Sequence, residues 1–158
     1  MAETQALHMN AYHAGIVTAN EDIFNGNPST DILSMANYEE VCFIIAKGAG
    51  ATGTAVITVE SCDDTSGTTT TAVAYTYRAT TSGNTVGSLT AATASGFTTT
   101  AGANQIYEIF IKADELNGSD KYVRMVATES ANDPCDGAII SIGLSPKYLA
   151  DPPREMIT

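Results

Sequence analysis

Apolar residues in this chain recur with a period of two rather than 3.6, and that single fact limits the fold most. Gly53 to Ser61 (GTAVITVES) places Ala55, Ile57 and Val59 on one face and Thr54, Val56, Thr58 and Glu60 on the other, the pattern of a half-buried strand. Thr71 to Thr80 (TAVAYTYRAT) repeats it with Val73, Tyr75 and Tyr77. Ile106 to Ala113 (IYEIFIKA) repeats it again with Tyr107, Ile109 and Ile111. No long amphipathic helix can be drawn anywhere. β-Branched Thr and Val lose little by being extended, and the helix formers Glu, Lys, Gln and Arg are scarce, with charged residues at 16%.

Further strands are expected at Tyr38 to Lys47, Lys121 to Thr128 and Gly137 to Leu144. The first of these, YEEVCFIIAK, is apolar on both faces over its second half, as in a central strand covered on each side. It runs into the turn signal Gly48-Ala49-Gly50. Asp114 to Gly118 reads as one helical turn closed by glycine. Thr81 to Asn104 is a tract of Thr, Ser, Ala and Gly with isolated Val86, Leu89 and Phe97, either a long ordered loop or short strands. Seven or eight strands separated by turn clusters, without a βαβ pattern, imply a single all-β domain, an antiparallel sandwich or jelly roll, spanning residues 31–146. At 158 residues the chain is long enough for one such core.

Residues 1–30 differ in texture. They are polar and Asn-rich, broken by NGNP at Asn25 to Pro28, with isolated apolar pairs at Ile16-Val17 and Ile23-Phe24. They are expected to form an extended arm with one short strand near Tyr12 to Thr18, removable without unfolding the domain. Residues 147–158 form a proline-containing tail with apolar anchors at Tyr148, Leu149, Met156 and Ile157. These eight apolar residues are the candidate contacts with partner proteins. The N-terminus lacks the basic start and apolar run of a secretory signal, and no stretch is apolar enough to span a membrane. Cytoplasmic synthesis is the expectation.

Catalytic chemistry finds little purchase. The two histidines, His8 and His13, both lie in the expected arm, outside any nucleophile signature. Their separation of five suits no helical face, and the three cysteines show no paired spacing. Cys42 sits within an apolar strand as a small hydrophobe, while Cys62 and Cys135 lie in polar turns that could meet in a bridge. The loops at Asp63-Asp64 and at Asp133 to Asp136 offer oxygen ligands for calcium but lack EF-hand spacing, and read more simply as turn formers. Glu60, Glu108 and Glu129 could supply a carboxylate pair for glycoside hydrolysis, yet the chain has no Trp for a sugar platform, and its tyrosines fit core or rim positions. The expectation is a protein without catalytic residues, cofactor or metal. A net charge of −11 with only seven Lys and Arg disfavours nucleic acid as a partner.

The segment YEIFIKADELNGSDKYVRMVATESANDPCDGAIISIGLSPKYLADPP, from Tyr107 onward, resembles the C-terminal half of head-decoration (cement) proteins of tailed bacteriophages. Its apolar strand (Ile106 to Lys112), Asp/Glu-Leu turn (Asp114 to Leu116), Tyr-Val-Arg strand (Tyr122 to Arg124) and Gly/Ala/Ile strand (Gly137 to Ile142) come in the order seen there. VCFIIAKGAGATGTAVITVESCDD resembles their first hairpin. The long segment before Asp31 and the Thr-rich stretch depart from that pattern. The resemblance implies a jelly-roll-like virion protein, often trimeric, that binds the major capsid protein on the outer face of the shell and bridges its subunits. A tail or connector subunit, or a carbohydrate-binding or adhesive sandwich, is the alternative.

Overall fold

The computed structural model describes residues 11–148, with residues 11–21 described through their backbone alone. The chain forms two antiparallel sheets. Its strands are β1 (Ala11–Asp22), β2 (Leu33–Ser34), β3 (Tyr38–Lys47), β4 (Thr54–Cys62), β5 (Thr70–Val73), β6 (Tyr75–Thr80), β7 (Thr90–Ala92), β8 (Phe97–Thr98), β9 (Ile106–Lys112), β10 (Tyr122–Ala131) and β11 (Asp136–Pro146). The larger sheet has the order β1-β11-β3-β9-β6-β7, and the smaller runs β2-β10-β4-β5, with β8 also paired to β4. The chain passes repeatedly between the sheets, staying within one only from β4 to β5 and from β6 to β7, and the result is the antiparallel all-β sandwich expected from the sequence.

Period-two alternation fills the space between the sheets. Val41, Phe43 and Ile45 of β3, Tyr107, Ile109 and Ile111 of β9, and Ala55, Ile57 and Val59 of β4 are all essentially inaccessible to solvent, as are Val123, Met125 and Ala127 of β10. They form one continuous apolar cluster, whose burial is the main source of stability. Tyr75 and Tyr107 contribute rings to it and satisfy their hydroxyls internally. Tyr75 donates to the Ile57 carbonyl at 2.5 Å, and Tyr107 donates to the Gln105 side chain at 2.9 Å.

Two expectations change on contact with the structure, and an open one is resolved, since the Thr-rich tract contains the short strands β7 and β8. The segment TAVAYTYRAT is two strands, not one. Its first part pairs with β4 in the smaller sheet and its second with β9 in the larger, so the chain changes sheets at Ala74. The Thr-rich tract is ordered around Phe97, whose ring stacks on Tyr77 and packs near Tyr75 and Tyr107. And the segment before Asp31 is largely part of the domain. β1 pairs along β11, the backbone of Pro28 and Thr30 bonds to Ala127 and Met125, and Ile23 and Phe24 lie inside the core. The boundary expected at residue 30 therefore falls within the folded body. The helical turn closed by glycine is present as a 3₁₀ turn at Ala113–Glu115 followed by Gly118 at φ +57°.

Candidate protein-contact face

A strand that buries odd-numbered side chains must present even-numbered ones on the opposite surface. On the larger sheet this outward surface is unusual for an antiparallel sandwich, in which one face of each sheet is ordinarily solvated and polar. The register sets out its rows. Ile142 stands beside Cys42, then Phe110, then Thr76; Ile140 stands beside Ile44, then Glu108, then Arg78; Ala138 stands beside Ala46, then Ile106, then Thr80. Below them Leu144 stands beside Glu40 and Lys112. Ile44, Ile140, Ile142, Leu144 and Phe110 are half-buried, and Ile106 is 43% exposed.

Cys42 lies in the middle of this surface, covered to 4% exposure by its neighbours. Burial, together with Glu108 and Glu40, pushes its thiol up to about 12, so it is protonated near neutral pH and behaves as an apolar filler. Opposite charges stand beside each other on the central strands of the face. Arg78 grips Glu108 through two hydrogen bonds, at 2.5 and 2.8 Å, while its guanidinium lies 5.5 Å from the centre of the Phe110 ring. Glu40 and Lys112 stand opposite each other in register. Along one side, Leu89 of the Thr-rich loop helps to wall a shallow groove of about 530 Å³ over Phe110 and Arg78.

The outward surface of the smaller sheet is different. Thr54, Thr58, Thr128 and Ser130 occupy it, with Glu60 bound to Arg124 at 2.8 Å and Thr54 bonded to Ser130 at 2.9 Å. Val56, Val126, Ala72 and part of Tyr122 interrupt this polar surface. It is already suited to water.

The residues proposed from sequence as partner contacts are dispersed. Ile23 and Phe24 are 1% and 0% exposed and serve the core, a correction to their reading as surface contacts; isolated apolar pairs in a polar segment marked core anchors here. Ile16 and Val17 lie on β1, where Ile16 is in register with Ile140. Tyr148 is 63% exposed just beyond β11. Leu149, Met156 and Ile157, like His8, lie outside the described residues. The outward row of Ile44, Ile140, Ile142 and Phe110 was not singled out, although its signal was present in the two-sided apolar run VCFIIAK.

Candidate chemical groups are also apart. Glu60 and Glu108 lie on the outward surfaces of opposite sheets, each held by an arginine, so they cannot flank one glycosidic bond. Among the described residues no group of three or more His, Cys, Asp or Glu is placed to hold a metal. Asp64 accepts from the Ser66 hydroxyl and from the Ser66 and Gly67 backbone N–H groups, shaping a turn. Cys135 lies against Gly53 at the start of β4, and Cys62 ends that strand. About nine extended residues, roughly 30 Å, separate them, far beyond the span of a disulfide. All three cysteines are free and buried. No helix among the described residues is long and apolar enough to cross a membrane.

No family model, curated protein or solved structure matches the chain.

Proposed function

We propose that this chain is a structural virion protein of a tailed bacteriophage, which binds the outer surface of the capsid and stabilises it by bridging subunits of the major capsid protein. In this reading it works without catalysis, cofactor, nucleic acid or membrane, and its copies associate with one another. The observation that carries the reading is the contrast between the two outward surfaces. One is polar and complete in water, and the other is an apolar sheet face, a surface of the kind that marks contact with protein. Strong like charge supports it as well, since a molecule of net charge −11 resists uncontrolled polymerisation until a complementary surface is offered.

Co-sedimentation tests the proposal. Shells assembled from the major capsid protein encoded in the same genome, free of accessory proteins, are mixed with the purified chain. Saturable binding at a fixed ratio to capsid subunits, with a higher shell melting temperature, is the expected result. Absence of binding across mature and immature shells would reject it.

A further inference from the structure

We infer that the apolar face of the larger sheet packs against the same face of a second copy of this chain. The inference rests on reading this face as a protein-contact surface, and it names the occupant.

Charge is the first argument. The molecule carries net −11, so two copies repel over most of their surfaces. This face is closer to balance: Glu40 and Glu108 stand opposite Lys112 and Arg78 in register, and the further acids Asp22 and Asp136 lie at one corner, where β1 meets the start of β11. A largely apolar surface whose central charges are balanced lets identical molecules approach without a cationic partner. A partner selected for affinity to the acidic body as a whole would be met by a basic surface, and the centre of this face offers such a partner no net charge.

Area is the second argument. Five neighbouring strands, β1, β11, β3, β9 and β6, at about 4.8 Å spacing and about 24 Å of paired length give a footprint of roughly 600 Å² per copy, or about 1,200 Å² for two. That reaches the lower end of specific interfaces. Two sheet faces of this kind stack with their strands about 30° apart, as the sheets within a sandwich do. Because the same patch serves both molecules, the contact closes on itself and yields a pair, where the resemblance to decoration proteins implies a trimer.

The test is made on the full chain by sedimentation velocity and light scattering over a concentration series to about 100 μM, where an interface of this size with a Kd in the micromolar range is populated. Wild-type protein is expected to approach twice the chain mass. Ile142→Asp is expected to be monomeric with an unchanged circular dichroism spectrum. Lys112→Glu, at an exposed position, makes the face acidic without touching the core. It should raise Kd at least tenfold in low salt, and Glu40→Lys combined with Lys112→Glu should restore pairing.

A wild-type monomer throughout the series, or a trimer, overturns the inference; so does a pair that survives both Ile142→Asp and Lys112→Glu. The shell assay separates this from the functional proposal. A monomer that binds shells and loses binding on Ile142→Asp places capsid protein on this face, defeating self-pairing while the virion role stands. A pair that ignores shells upholds self-pairing and defeats the virion role.

Discussion

The rings of Tyr77 and Phe97 lie parallel, 1° apart in orientation, with centroids 3.8 Å apart. This contact ties the Thr-rich tract to β6. Phe97 also belongs to the smaller sheet, where it pairs with Ile57, so one side chain joins both layers. Phe97→Ala should therefore cost about 3 kcal/mol in urea unfolding, within the usual range for a packed aromatic. Val86→Ala, in the same tract but 55% exposed, should change stability by less than about 0.5 kcal/mol. Equal effects would show that the tract is not anchored through Phe97.

Gly96 precedes that ring at φ +76°, and a methyl group on it would meet the Ile57 carbonyl oxygen at 2.0 Å. Backbone cannot move aside as a flexible side chain would. Gly96→Ala should lower stability by more than about 2 kcal/mol, through both the left-handed backbone and the clash. Gly83→Ala is the comparison, with φ +58° but open space around it, and should cost about 1 kcal/mol. Thermal melts of the two variants distinguish the contributions.

Phe24 is wholly buried within the core cluster. Phe24→Ala should destabilise the domain by about 3–5 kcal/mol, and removing residues 1–30 should abolish the cooperative unfolding transition. A truncated chain that keeps the native spectrum and melt would return these residues to the role of a detachable arm.

Alkaline stability should fall above pH 9. Burial pushes the Cys42 thiol to about 12 and the Cys135 thiol to about 11, from an ordinary 9.0. The unfolded chain releases these protons first, so the stability they contribute is full below pH 9 and declines as pH rises to about 12, with a slope of about 1.4 kcal/mol per pH unit per thiol. Lys47 acts in the opposite sense. It is 4% exposed, bonded to the carbonyls of Gly53 and Thr100, and burial holds it below its ordinary 10.5. Its contribution is present above that value and lost as pH falls through the folded one, which offsets part of the decline. Cys42→Ala should flatten the curve between pH 9 and 12 as followed by urea midpoints; an unaltered slope would assign the loss to other groups.

Oxidation should leave Cys62 and Cys135 unlinked. After treatment of the folded protein with a mild oxidant, alkylation in denaturant followed by mass spectrometry is expected to find all three thiols. A Cys62–Cys135 bridge would require the two ends of β4 to meet.

Much of the architecture was legible because it follows from local pattern. The alternations in GTAVITVES and IYEIFIKA place Ile57 and Ile109 in the core as read, since a half-buried strand leaves no other solution for those residues. The sheet change at Ala74 was hidden because TAVAYTYRAT alternates without interruption across it. Only the partners of each half, distant in sequence, reveal the turn. Ile23 and Phe24 misled because apolar density in their neighbourhood is low, and density signals strands better than it signals single anchors. The contact face was half legible. Apolar residues on both sides of β3 announced a cover on each side, but which side belonged to the core depended on β9 and β11.

Antiparallel pairing of β1 with β11 sets Ala11 opposite Leu144, so β1 begins and β11 nears its end at one pole, on adjacent strands. Tags or reporter domains joined there would project in a common direction, away from the loops at Gly48 and Asn104. A short linker between these two points, with new ends opened in the loop around Gly83, would give a circularly rearranged chain with the same strand order in space.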